Sequence, residues 1–337
     1  MTLECVANIS IISKNTDKEE RSLSKQEFVM PDVDTGIDDA IAILLALKAP
    51  NIYVAGITTV FGVSTVEQTT SNTLSVIELC DAGYQIPVAK GADAPLKRAR
   101  GESVAHIHGK NGIGDYVLPE PKNRLREESA AEFICNMVHQ KAHELTLVCT
   151  ARLTNLAMAI ERDPSIVSNV KNVVIMGGAI NVPGNVTAYA EANIFGDPEA
   201  AQIVFESGIP ITVVGLDVTL QAVFHEKDMK LLKTMSPEKN RRMIDFLDHI
   251  TSFYSNAYLQ ETGKAGCPLH DPLAMAVVID PTLVVTEKCS ISIETTDEKR
   301  LGETINNGWG GDRSNVNVCT SINTARFIQC IIDTLSK

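Results

Sequence analysis

Four aspartates stand within eight residues, at Asp32, Asp34, Asp38 and Asp39, with the apolar run Phe28-Val29-Met30 before them and the almost wholly apolar Ala40 to Leu47 after them. Acids placed between a strand and a buried helix are not a solvated charge run. If Asp32 and Asp34 are still on the strand they point to one face, because side chains there repeat every two residues. Gly36 permits a sharp turn. Asp38 and Asp39, about 100° apart on the first helical turn, can then face different partners. Packed together, such carboxylates repel and take up protons unless a cation or hydroxyl donors hold them ionised. A hard divalent cation held by oxygens resolves the conflict, and Ca²⁺ accepts several carboxylates more readily than Mg²⁺ does. An EF-hand is excluded, since twelve residues counted from Asp32 end at Ile43, where a bidentate Glu is required.

The other residues able to do chemistry fall just after expected strands: Thr150 after Leu145 to Cys149, and Asn185, Glu191 and Asn193 after the strand ending at Met176-Gly177. His270-Asp271 stands at a helix start. Taken alone Asp271 reads as a helix cap, but beside a site short of positive charge a carboxylate next to a histidine suggests a metal ligand and a proton donor. His108, in Ile107-His108-Gly109, reads in isolation as a surface loop histidine.

The elements that must position these residues alternate. After the first strand, acid loop and helix, which Pro50 ends near Ala49, Ile52 to Val60 reads as one strand buried on both faces. Ser64 with Glu67 marks a capping box that opens a helix to about Cys80. Strands follow at Ile86 to Lys90, Leu145 to Cys149, Asn172 to Gly177 and Ile211 to Leu216. Helices lie at Glu127 to Lys141 and Thr154 to Arg162, and a third is opened by Asp197-Pro198-Glu199 and closed by Gly208. Gly91 to Pro121 and Gly178 to Asn193 are irregular, and a long loop inside a compact domain is usually functional or disordered. This order predicts an α/β fold: a single large, open, mostly parallel sheet with right-handed crossovers, flanked by helices, binding ligands at the carboxyl ends of its strands. The C-terminal part is more helical, at Pro237 to Thr262, at Leu273 to Val278 capped by Asp271-Pro272, and at Thr324 to Leu335. Ser290 to Ile293 and Asn315 to Cys319 read as late paired strands.

The chain has 337 residues, 44% of them hydrophobic, enough for one large core. Residues 1–25 read as an N-terminal extension of unknown role and 26–337 as one domain. A net charge of −12, with no basic stretch, argues against nucleic acid or an anionic membrane surface as a partner. The eight cysteines (Cys5, Cys80, Cys135, Cys149, Cys267, Cys289, Cys319 and Cys330) are dispersed, with no C-x-x-C pair, and read as reduced core residues. No 18-residue apolar span exists, and the first 26 residues lack the apolar core of a signal peptide. The expectation is a soluble, cytoplasmic protein.

On these motifs the chain resembles the inosine-uridine preferring nucleoside hydrolases. Their signature D-x-D-x-G-x-D-D is matched by Asp32, Asp34, Gly36, Asp38 and Asp39. Further matches run in the family's order through Gly56-Ile57-Thr58-Thr59-Val60, Ile107-His108-Gly109, Thr150 with Leu153-Thr154-Asn155, Met176-Gly177-Gly178-Ala179, Gly184-Asn185, Glu191 with Asn193, Asp197-Pro198-Glu199 and His270-Asp271-Pro272. The resemblance covers residues 27 to 335. It implies that Asp34, Asp39, the carbonyl of Thr150 and Asp271 hold Ca²⁺, with Asp34 also the general base and His270 the leaving-group acid. It further implies that Asp38, Asn185, Glu191 and Asn193 hold the ribose hydroxyls, that Met176 lines the substrate site, and that His108 lies in a mobile flap near the base. Asp32 supports the cluster from behind by accepting hydrogen bonds. Tyr254 and Tyr258, one turn apart before His270, are candidates to pack on the base, with ordinary helix packing the alternative. The family is commonly dimeric or tetrameric, so a homodimer or homotetramer is expected.

The implied reaction is hydrolysis of an N-ribosidic bond to free base and ribose. Its transition state is a ribosyl oxocarbenium ion, which a preorganised negative pocket stabilises as charge develops. The departing base is a poor anion and needs an acid. The sequence departs from the family at Val63, where an asparagine is usual, at Ala192, at Thr35, and at Cys149-Thr150-Ala151-Arg152, which replaces a typical Pro-Thr-Gly-Pro. Two other readings compete: a haloacid-dehalogenase-type phosphatase, since Asp32-Val33-Asp34-Thr35 partly fits a D-x-D-x-T motif, and a family member that binds nucleosides but has lost turnover through Val63.

Overall fold

The first apolar run folds as strand β1 (Glu27–Val33), and the acid loop carries the chain straight into the helix Ile37–Lys48. The computed structural model describes residues 26–80, 82–311, 314 and 316–337, so the expected extension over residues 1–25 lies outside the described residues. The strands that follow are β2 (Ile52–Val54), β3 (Ile57–Thr59), β4 (Val88–Lys90), β5 (Leu145–Cys149), β6 (Asn172–Met176) and β7 (Ile211–Val214). After them come β8 (Val223–Phe224), β9 (Cys267–Pro268), β10 (Val284–Ile293), β11 (Thr304–Trp309) and β12 (Val316–Ile322). One sheet runs β11-β10-β12-β7-β6-β5-β1-β3-β4, with β2 also on β1, while β8 and β9 form a separate antiparallel pair. Every pairing from β4 across to β12 is parallel, and β10 joins β12 and β11 antiparallel. The expected open, mostly parallel α/β sheet is borne out.

Helices cover both faces, as a mostly parallel sheet requires. Against one face pack Ile37–Lys48, Arg241–Thr262, His270–Ile279 and Thr324–Leu335; against the other pack Ala130–Gln140, Thr154–Arg162 and Pro198–Glu206. Ile37–Lys48 is buried from Ile37 through Ala46, which is why its sequence is apolar all round. No helix among the described residues is long and apolar enough to cross a membrane. Of the described cysteines, six are buried and Cys330 is half-buried.

Four local expectations are corrected. The strand expected over Ile52 to Val60 is split at Ala55-Gly56, where a Cβ on Gly56 would stand 2.4 Å from the Phe133 ring. β1 changes partner at that point, pairing with β2 as far as Val29 and with β3 from Asp32. Pro31, which has no N–H to give, falls in the gap between them. The helix Val66–Cys80 is capped by Thr65, whose hydroxyl accepts from Gln68 N at 3.3 Å, and not by the expected Ser64. The helix after β9 starts at His270, so Asp271 lies in its first turn and does not cap it, and the residue before the helix is Leu269, which offers no side-chain cap. The late strands are longer than expected and pair differently: Ser290 to Ile293 pair with an additional strand, β11, while Val316 to Cys319 of β12 pair with Thr286 to Cys289. β11 forms an edge hairpin with β10, and its Asn306, Asn307 and Gly308 conceal the period-2 pattern.

Candidate active site

The carboxyl ends of β1, β3, β5 and β6 converge on the acid loop, where Asp32, Asp34, Asp38, Asp39 and Asp271 are all buried. Asp32, on β1, is held from behind: its Oδ1 accepts from Thr58 Oγ1 at 2.7 Å and Asn155 Nδ2 at 2.8 Å. Its Oδ2 is buried without a hydrogen-bond partner, and burial pushes the carboxyl up to about 6. Asp39 turns back over the loop to accept from Gly36 N at 3.1 Å and takes Thr150 Oγ1 at 2.7 Å on its other oxygen. Asp38 accepts from Tyr254 Oη at 3.3 Å.

Oxygens of Asp38, Asp39 and Asp271 lie within 4.8 Å of one another. Burial pushes Asp38 up to about 6, and burial and mutual repulsion push Asp39 and Asp271 well above the usual carboxylate range. Such a donor set, all hard oxygens and desolvated, fits a divalent cation. Asp34 stands at the edge of this set. Its Oδ2 accepts from Val63 N at 2.7 Å and from the Arg152 guanidinium, so its burial-raised affinity for a proton is opposed first by that positive charge. Gly62 is obligatory here, because a Cβ would fall 1.8 Å from Asp34 Oδ2. Val63 thus holds the acid through its backbone, and no side-chain amide stands at that position.

Thr150, one residue past β5, gives its hydroxyl to Asp39, and its carbonyl accepts from Asn193 Nδ2 at 2.8 Å. Asn193 Nδ2 also reaches the Met176 carbonyl at 3.1 Å and Met176 Sδ at 3.4 Å, so Met176 is a wall of the site through Asn193. Glu191 caps the short helix Ala192–Gly196, its carboxylate taking the N–H groups of Asn193, Ile194 and Gly178. Asn185 is on the exposed rim and accepts from Ala192 N at 3.0 Å.

His108 is not a surface loop histidine. It is buried, and its Nδ1 accepts from Ile37 N at 3.1 Å, so it braces the start of the helix that carries Asp38 and Asp39. Burial pushes its imidazole down to about 3, as a nitrogen that must accept requires. His270 is joined at Nε2 to Tyr258 Oη (2.8 Å) and at Nδ1 to Thr219 Oγ1 (2.8 Å), and burial lowers it to about 4. The Tyr254 and Tyr258 rings meet edge to face at 4.9 Å, linking His270 to Asp38 by an aromatic and hydroxyl path.

The structure therefore gathers Asp34, Asp38, Asp39, Thr150, Asn193 and Asp271 and sets Tyr258 with His270 beside them. Sequence reasoning missed Arg152, Thr58, Asn155 and Thr219 as partners of these residues. Arg152 was visible only as an odd residue in the loop after β5. The others carry no signal, since a threonine or asparagine in a buried element looks the same whether or not it serves an acid.

The family described as "Inosine-uridine preferring nucleoside hydrolase" matches residues 29–329. The chain is 41% identical over 274 residues to a uridine nucleosidase of Arabidopsis thaliana, covering 81% of this chain and 80% of that one. It is also 41% identical over 283 residues to an inosine-uridine preferring nucleoside hydrolase of Crithidia fasciculata, covering 82% and 86%. Among solved structures, a purine-preferring ribonucleoside hydrolase from Gardnerella vaginalis superposes with a TM-score of 0.86 at 35% identity, over 92% of this chain and 98% of that one. With its acid loop, sheet order and His270-Asp271 helix start all in place, this chain belongs to the inosine-uridine preferring nucleoside hydrolase family.

Proposed function

We propose that this ribonucleoside hydrolase cleaves the N-ribosidic bond with Asp34 as general base and with Ca²⁺ held by Asp34, Asp39, Asp271 and the Thr150 carbonyl. The single observation that carries this reading is the meeting of buried Asp38, Asp39 and Asp271, from two distant helix starts, within 4.8 Å, with Asp34 joined to the set through Asp39. When bound, the cation supplies Lewis-acid chemistry, acidifying the attacking water and fixing the ribose diol. Asp34 keeps one oxygen, Oδ1, clear of Val63 and Arg152, and that oxygen is the one to take a proton. Asp38 and the Asn193 amide oxygen offer acceptors for ribose hydroxyls, while Asn185 and Glu191 close the far side of the same sugar. The negative field of the cluster stabilises positive charge as it grows on the ribosyl ring and does nothing comparable for the neutral substrate.

Protonation of the leaving base is assigned to His270 acting with Tyr258. Both imidazole nitrogens are bonded, to Tyr258 and to Thr219, so the proton that reaches the base passes from His270 Nε2 through the Tyr258 hydroxyl, and His270 regains it from solvent while Asp34 releases the proton taken from water. The phosphatase reading fails on geometry: its nucleophile would be Asp32, which is enclosed by Thr58 and Asn155. Relatives named for uridine, for inosine and uridine, and for purines leave base choice to the surroundings of Tyr258. The reading is completed by a cytoplasmic homodimer or homotetramer. Incubation with inosine and with uridine, followed by chromatography of the products, tests it: free base and ribose in equal amounts are expected. Intact nucleosides that nonetheless raise the melting temperature would mark a binding protein without turnover.

A further inference from the structure

Arg152 has no part in the mechanism above, yet its guanidinium reaches into the acid cluster. Three observations bear on it. Its Nη1 sits on Asp34 Oδ2, the oxygen already taken by Val63 N, and lies 3.4 Å from Asn193 Oδ1. Among the described residues no other lysine or arginine forms an ion pair with Asp34, Asp38, Asp39 or Asp271. Second, the side chain is only 13% exposed and runs through space left by two glycines. A Cβ at Gly196 would lie 2.6 Å from its Nε and 2.7 Å from its Cγ, and one at Gly62 would lie 2.4 Å from Nη1. Third, its buried Nε has no hydrogen-bond partner, so among the described residues the head group bonds to Asp34 and Asn193.

We propose that Arg152 is a fixed counter-charge that shares Asp34 with the divalent cation and so weakens the cation's hold, setting this chain's metal affinity. The proposal rests on the reading that a divalent cation binds the cluster. One carboxylate would then serve two positive groups, the guanidinium already on Oδ2 and the cation. The repulsion between two positive groups that share one carboxylate, at an effective dielectric constant of about 20, is enough for at least a tenfold change in affinity. Without a cation, the same guanidinium offsets part of the repulsion among the acids, so the metal-free fold depends on it. A guanidinium holds its carboxylate in a fixed geometry, and its path to Asp34 is open only while Gly62 and Gly196 carry no Cβ.

The test is calorimetric titration of the chelator-stripped full-length protein with CaCl₂, with no nucleoside present. Arg152→Gln, neutral and of similar length, should bind Ca²⁺ at least tenfold more tightly than the parent and show a larger rise in melting temperature at saturating Ca²⁺. Arg152→Lys, which keeps the charge, should stay within about threefold of the parent. Gly196→Ala should move the affinity in the same direction as Arg152→Gln by crowding the side chain off Asp34, and it decides the matter if Arg152→Gln does not fold. Equal or weaker binding by Arg152→Gln, or a lysine variant that behaves like the glutamine one, overturns the assignment while leaving the metal reading intact. Failure of both parent and Arg152→Gln to take up Ca²⁺ overturns both.

Discussion

Asp34 joins the Val63 backbone and the Arg152 guanidinium to the acid cluster, which it meets at Asp39. Asp34→Ala should lower turnover by about 10³-fold or more, since base and ligand are lost together; circular dichroism will show whether the fold survives. Wild-type-like rates would remove Asp34 from the mechanism. His270 is open to a sharper comparison. His270→Ala should lose more activity on inosine or uridine than on a nitrophenyl riboside, whose leaving group needs no acid, and equal losses would remove His270 as the acid. Tyr258→Phe breaks the 2.8 Å bond to His270 Nε2, so the losses in Tyr258→Phe and His270→Ala should be strongly non-additive in a double-mutant cycle. At this scale the acids were legible in the sequence because like charges flanked by apolar runs need an explanation. Arg152 was not legible, because one arginine in a loop says nothing about where its head group lies until the glycines that clear its path are placed in space.

The elements differ in how plainly the sequence announced them. β5, the helix Thr154–Arg162 and the helix Thr324–Leu335 begin and end where their patterns predict, since apolar runs and amphipathic periods are local signals. The split between β2 and β3 was not local. It follows from the close approach of Phe133, which lies far along the chain, to Gly56. Competing caps were equally hard to separate: Ser64 and Thr65 are both good cap residues, and only the hydrogen bond from Gln68 N distinguishes them. Thr65→Ala should therefore destabilise the protein by about 1 kcal/mol in urea titration, and Ser64→Ala by much less. A reversed order would refute the cap. The helix His270–Ile279 shows how an element's start can be functional, because beginning at His270 sends Asp271 toward Asp38 and Asp39 in place of capping.

Across the whole molecule, the acid cluster makes stability depend on pH and on the cation together. Asp32 and Asp38 titrate near 6 in the fold, against about 4 for an unfolded aspartate, with Asp39 and Asp271 raised further. In the metal-free protein these four acids bind more protons folded than unfolded from about pH 4 to beyond pH 6; they outnumber His108 and His270, whose lowered affinity acts the other way in that window, so stability falls as pH rises. The stripped protein should melt higher at pH 5 than at pH 7.5, with Ca²⁺ restoring the loss at pH 7.5; a stripped protein more stable at pH 7.5 would contradict the electrostatics. The sheet that carries the cluster was legible from alternating strands and helices, and the family match over residues 29–329 agrees with it. The late hairpin β10–β11 at its edge was only partly so, because its polar, glycine-bearing strand carries no alternation. The central claim is that this fold brings a cation and Asp34 together to hydrolyse ribonucleosides. Its most direct measurement is base release from a panel of purine and pyrimidine nucleosides, with a Ca²⁺ chelator added and Ca²⁺ then restored. The account predicts release of base with an equal amount of ribose, loss of that release on chelation, and recovery with Ca²⁺; release that is absent throughout, or that persists unchanged in chelator, would contradict it.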